Sequence, residues 1–138
     1  MSISILIVDD EKTITESLSL DLRFDGYEVV TANSGTEAIE VLYKKKIDII
    51  ISDIMMPNMN GLELLKRVRS GYPMIRVIMM TGYVRLSYAL ECMQLHADTI
   101  IFKPFHDLKE LKTAVEEAEM NLRKWQTKLK LLQNMKTD

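Results

Sequence analysis

The chain has 138 residues, a length that suits one domain built around one core. Hydrophobic residues make up 47% and charged residues 28%, and the net charge of -2 gives no overall reason to bind nucleic acid or a membrane surface. The longest apolar runs, residues 5–8 (ILIV) and 47–51 (IDIII), are too short to span a bilayer.

The opening MSISILIVDD has no basic segment and no cleavage-type site, so no signal peptide is expected. Ile3–Val8 is apolar and β-branched, which predicts a strand buried on both faces. Glu11–Phe24 predicts a helix carrying Ile14, Leu18, Leu20 and Leu22, and Gly26 ends it. Tyr27–Ala32 reads as a second strand. Ser34 with Glu37 three residues on forms a capping box, opening a helix with an Ala38, Val41 and Leu42 stripe. Ile47–Ser52 reads as the third strand. Asn58–Gly61 reads as a loop, with Gly61 expected to need a positive φ. A helix with Leu62, Leu65 and Val68 on one side follows, and Tyr72-Pro73 breaks it. Arg76–Met80 is the fourth expected strand and Ser87–Leu95 the next helix. Its Cys92 reads as a small apolar residue. A lone cysteine excludes an internal disulfide framework and fits a reducing cytoplasm. Thr99–Phe102 is the fifth strand, and the last helix is expected to start near His106.

Strict alternation of strand and helix predicts an α/β fold with a parallel, doubly wound, five-stranded sheet, helices on both faces and right-handed crossovers. The C-terminal end adds something. Leu108, Leu111, Val115, Ala118, Leu122, Trp125, Leu129 and Leu132 alternate at spacings of three and four, an a/d heptad. From about Leu122 this helix should run past the body of the domain. The chain is therefore divided into a domain over 1–120 and an extended helix over 121–138. Residues 120–138 carry five basic groups against one acid. The stripe predicts a homodimer through the C-terminal helix as a coiled coil, or a linker to an output domain; a long helix folding back on its own body is the plainer alternative.

Four short segments each follow an apolar strand: Asp9-Asp10, Asp53, Thr81-Gly82 and Lys103-Pro104. Open α/β sheets build their sites along the carboxyl ends of their strands, so three acids, a hydroxyl and an amine are expected together. Alone, each segment has a plain structural reading, such as a helix cap or a turn. Together they suit a divalent cation and a phosphoryl group. Mg²⁺ favours hard oxygen ligands and phosphate oxygens. A rigidly held carboxylate such as Asp53 can attack phosphorus to give an acyl phosphate. Gly82 would leave space for the phosphoryl group, and a cis Lys103-Pro104 bond would fix the lysine's direction. Met55, Met56 and Met59 would line the site. His96 and His106 lack metal-ligand spacing.

These residues resemble the receiver domain of two-component response regulators. VDDE at 8–11, DIMMPNMNG at 53–61, MTG at 80–82 and KPF at 103–105 match its signature in order and spacing, over about residues 3–120. The resemblance implies a flavodoxin-like sheet in the order 2-1-3-4-5 with five helices. It implies that Asp53 accepts a phosphoryl group from the phosphohistidine of a sensor histidine kinase or a phosphotransfer protein. Asp10, Asp53 and the backbone carbonyl of Met55 would bind Mg²⁺, and Asp9 would reach it directly or through water. Lys103 and Thr81 would contact the phosphoryl oxygens. Such a protein is a signalling receiver with its own phosphotransfer and autodephosphorylation chemistry, not a turnover enzyme. It departs from the family at Ile100, where the family often has a switching Tyr or Phe. No output domain is evident after the fifth helix, so contact with nucleic acid is expected only through a missing one. A binding module that is not phosphorylated would lose an acid, the hydroxyl or the lysine, and none is lost. A dehalogenase-like phosphatase would show D-x-D at the first strand, and a dinucleotide-binding domain a Gly-rich first turn.

Overall fold

A computed structural model describes residues 2–83 and 85–135. The elements run β1 (Ser4–Val8), α1 (Lys12–Phe24), β2 (Glu28–Ala32), α2 (Gly35–Lys44), β3 (Ile49–Asp53), α3 (Gly61–Gly71), β4 (Arg76–Thr81), α4 (Leu86–Gln94), β5 (Thr99–Phe102) and α5 (Lys109–Asn134). The strands form one sheet in the order β2-β1-β3-β4-β5, every neighbouring pair parallel.

The period of two along each strand sorts the core into two halves. Leu6, Val8, Ile50, Val77 and Met79 face the side covered by α2, α3 and α4. Ile5, Ile7, Ile49, Ile51, Ile78 and Met80 face the side covered by α1 and α5. β1, β3 and β4 are therefore apolar at successive positions, as central strands of a doubly covered sheet must be.

Local side chains explain where boundaries differ from the sequence expectation. β3 begins at Ile49; just before it the Asp48 carboxylate accepts the Ser4 backbone N–H at 2.9 Å, and the Asp48 main chain bonds to Ser4 and Arg76 on either side. α5 begins at Lys109, after His106, because Asp107 Oδ1 accepts the Lys109 N–H at 2.9 Å. Ser34 accepts the Glu37 N–H at 3.1 Å, as the capping box required. Gly26 holds a φ of 97° after α1. Gly61 corrects the expectation placed on it: the positive φ of that loop lies at Asn58, 65°.

α5 has 26 residues, which at 1.5 Å each is about 39 Å. Leu111, Ala114, Val115, Ala118 and Leu122 are buried against the sheet. Beyond them Trp125, Leu129 and Leu132 on the same stripe are 56%, 42% and 55% exposed. Lys112 pairs with Asp25 at 3.1 Å, and the Tyr27 hydroxyl donates to Glu119 at 3.1 Å, so both contacts tie the buried half to the α1–β2 turn. Burial and the Glu119 charge push the Tyr27 hydroxyl up to about 12. Among the described residues no helix is long and apolar enough to cross a membrane.

Candidate functional site

The carboxyl ends of β1, β3, β4 and β5 share one edge of the sheet, and the four segments singled out in the sequence meet there. Asp9 lies just past β1 and is fully buried, whereas Asp10 is exposed. Asp53 closes β3 and Thr81 closes β4, both buried. One carboxylate oxygen from each of Asp9, Asp10 and Asp53 lies within 4.8 Å of the others. Lys103, just past β5, reaches across to them. Its Nζ stands 2.6 Å from Asp9 Oδ2, 3.4 Å from Asp53 Oδ2 and 3.8 Å from Glu11 Oε1. The Lys103-Pro104 peptide is cis.

Asp9 keeps part of its plain structural reading: its Oδ1 accepts the Glu11 backbone N–H at 3.0 Å, at the entrance to α1. Its other oxygen serves Lys103. Burial lifts the Asp53 carboxyl to about 6; Lys103 pulls against that rise and the Asp9 charge adds to it. Lys103 is held above its ordinary value. Burial opposes its charge, but the hydrogen bond to Asp9 and the charges of Asp53, Asp9 and Glu11 outweigh it.

The Asp53 backbone is held by close approach. A Cβ on Gly61 would come within 2.1 Å of the Asp53 carbonyl oxygen and 2.8 Å of the Ile54 Cα. The Gly61 N–H also donates to the Ile54 carbonyl at 2.8 Å. Gly61→Ala is expected to force the loop that follows Asp53 aside and to cost about 1–3 kcal/mol, read as a lower urea midpoint with an unchanged slope.

The Thr81 hydroxyl is engaged within its own turn, accepting the Tyr83 N–H at 2.9 Å and donating to the Tyr83 carbonyl at 3.1 Å. Gly82 lies against Lys103, where an added Cβ would make an ordinary 3.8 Å contact. Ile100 is half-buried opposite Met79, on the α4 side of the sheet. Phe102 stands opposite Thr81 and is 49% exposed, with its face opposed to that of Lys103 by strand alternation. Met55 is exposed and Met56 buried.

Two neighbours escaped the sequence reading as site residues. Glu11 adds a third acid around Lys103. Asn33, at the end of β2, donates from its side-chain amide to the Asp9 carbonyl at 3.2 Å. Asn33 carried the same strand-end signal as the others, but an amide does not point to phosphoryl chemistry. The acid cluster is all carboxylate, with no Cys or His in it. Such a donor set fits a hard divalent cation.

Residues 5–116 match the response regulator receiver domain family. The chain belongs to that family. This receiver is 37% identical over 117 residues to sporulation initiation phosphotransferase F of Bacillus subtilis, covering 85% of this chain and 94% of that protein. The response regulator TrrA from Thermotoga maritima, solved in complex with Mg²⁺-BeF, superposes with a TM-score of 0.76 at 35% identity over 86% of this chain and 99% of that one. A solved chain described as adenylate cyclase from Rhodopirellula baltica superposes with a TM-score of 0.90 at 28% identity over 98% of this receiver and 100% of that chain. The receiver spans about half or less of several other curated relatives, 48% of the probable transcriptional regulatory protein TcrX of Mycobacterium tuberculosis and 22% of the response regulator FleR of Pseudomonas aeruginosa.

Proposed function

We propose that Asp53 accepts a phosphoryl group from the phosphohistidine of a sensor histidine kinase or a phosphotransfer protein, in the cytoplasm. The observation that carries this reading is the reach of the Lys103 ammonium to both Asp9 and Asp53, beside three convergent carboxylates. A deprotonated Asp53 oxygen attacks phosphorus, the P–N bond to the imidazole breaks, and its electron pair stays on the imidazole nitrogen, which takes up a proton. Asp9, Asp10, Asp53 and the Met55 backbone carbonyl would hold Mg²⁺, which supplies positive charge to the phosphoryl oxygens. Lys103 leaves Asp9 for a phosphoryl oxygen as a second point charge. Gly82 presents no side chain on the approach.

Thr81 is the receiver's sensor of the new charge. To donate to a phosphoryl oxygen, its hydroxyl must give up the Tyr83 carbonyl that it now holds. That exchange shifts the turn leading into α4, a local electrostatic event coupled to a movable segment. Ile100 has no aromatic ring to follow the threonine, so the route runs through the Tyr83 backbone. Acetyl phosphate with Mg²⁺ should add one phosphoryl group, which mass spectrometry should map to Asp53. A group mapped to another residue overturns the assignment.

A second reading concerns residues 121–138, of which 136–138 lie outside the described residues. The stripe buried up to Leu122 continues exposed through Trp125, Leu129 and Leu132. With Leu122 and Leu129 at a and Trp125 and Leu132 at d, the flanking pairs across a parallel seam are Asn121 with Gln126 and Lys128 with Gln133. Neither pair opposes like charges. Arg123, Lys124 and Lys130 fall on the outer positions. These features support a coiled-coil homodimer, which can also serve as the linker to an output domain. Any contact with nucleic acid is assigned to that separate domain, and the membrane has no part. Sedimentation should find a dimer, and a monomer at high micromolar concentration counts against it.

A further inference from the structure

We propose that the β2–α2 turn, residues 32–35, is a positioning element for the acidic cluster, and that Asn33 within it sets the cluster's affinity for a divalent cation. This rests on the reading of Asp9, Asp10 and Asp53 as a metal site.

The three acids are held very differently. Asp9 is fully buried and bonded through both oxygens, to the Glu11 N–H and to Lys103. Asp53 is locked into β3 with Gly61 pressed against its carbonyl. Asp10 is exposed, so its direction depends on the peptide that joins it to Asp9. Two contacts grip that place, and both come from one segment. The Asp9 N–H donates to the Ala32 carbonyl at 3.1 Å. The Asn33 amide donates to the Asp9 carbonyl at 3.2 Å. That carbonyl belongs to the Asp9–Asp10 peptide, and a planar peptide turned at its oxygen carries the next Cα with it. Asn33 therefore aims Asp10.

Two residues on, the same turn meets the other arm of the cluster. A Cβ on Gly35 would stand 2.9 Å from the Met59 Cβ, Cγ and Sδ, in the loop that follows Asp53. Because the glycine has no side chain, this loop closes down on the turn. One short segment thus touches both the Asp9–Asp10 corner and the Asp53 loop, and their spacing passes through it. Outer partners of this kind orient ligands and tune metal affinity without touching the ion.

The test is calorimetric Mg²⁺ titration of the unphosphorylated full chain, beside acetyl phosphate labelling at saturating Mg²⁺. Asn33→Ala is expected to raise the Mg²⁺ Kd about three- to tenfold, the loss of one neutral hydrogen bond, while the labelling rate at saturation stays near the parent's. An unchanged Kd, or a labelling rate that stays low at saturation, overturns the proposal. Gly35→Ala should also weaken Mg²⁺ binding, and Gly35→Ala with Met59→Gly, which removes all three atoms that the new Cβ would meet, should recover it. Failure of that recovery overturns the proposal even if Asn33→Ala does not fold. A parent chain that binds no Mg²⁺ instead refutes the metal-site reading on which the inference rests.

Discussion

Metal-free Asp53→Asn protein is expected to be more stable than the parent at about pH 8, by about 1–3 kcal/mol, and to lose that advantage near pH 4. The sign follows from the raised carboxyl. Folding lifts Asp53 to about 6, while the unfolded chain releases its proton near 3.8. Between those values the folded chain holds a proton that the unfolded chain has lost. Stability therefore falls as pH rises through the window, and the loss is complete above about 6. About two pH units correspond to about 3 kcal/mol, an upper bound because the amide brings its own burial cost. Urea unfolding in chelator, at pH values on either side of the window, measures it. A parent and variant that differ equally at both ends would show that Asp53 titrates normally. The same variant should take no phosphoryl group at all. Added Mg²⁺ should stabilise the parent more than the variant, since a ligand stabilises in proportion to its affinity for the folded form.

Lys103→Met removes the positive centre of the site and should be the most damaging single change. Asp9 is fully buried with its Oδ2 2.6 Å from the ammonium, and Asp53 is next to it. Without the lysine, two buried carboxylates face each other, and breaking such a pair costs about 3–5 kcal/mol. The cost should shrink as pH falls toward about 5, because Asp53 then takes up a proton more readily than in the parent. Phosphoryl transfer from acetyl phosphate should slow by about 10²–10³, the usual effect of losing one charge-stabilising donor. Equal stability of variant and parent at neutral pH would mean that water screens the cluster.

Much of the site was legible because strand ends announce themselves. Ile49-Ile50-Ile51 before Asp53 and Ile5–Val8 before Asp9 are runs that suit a buried strand, and a polar residue ending such a run lies at the edge of the sheet where sites are built. What escaped were contacts made across the edge. Nothing near Asn33 in the chain reveals that its amide meets a carbonyl 24 residues earlier. Glu11 reads as a helix-start acid until β5 brings Lys103 beside it. Gly61 signalled a turn, and the reason for it proved to be the Asp53 carbonyl.

By itself the sequence determined the alternation of elements, the two-sided burial of the central strands and the residue types at their ends, because those depend on periodicity and on the contrast between apolar and charged side chains. The tertiary structure alone decided that Lys103 bridges Asp9 to Asp53, that Thr81 is occupied by the Tyr83 backbone, and that the α5 stripe passes from buried to exposed after Leu122. Those outcomes depend on distances between segments far apart in the chain. Such distances are set by sheet order and packing, which no local pattern encodes.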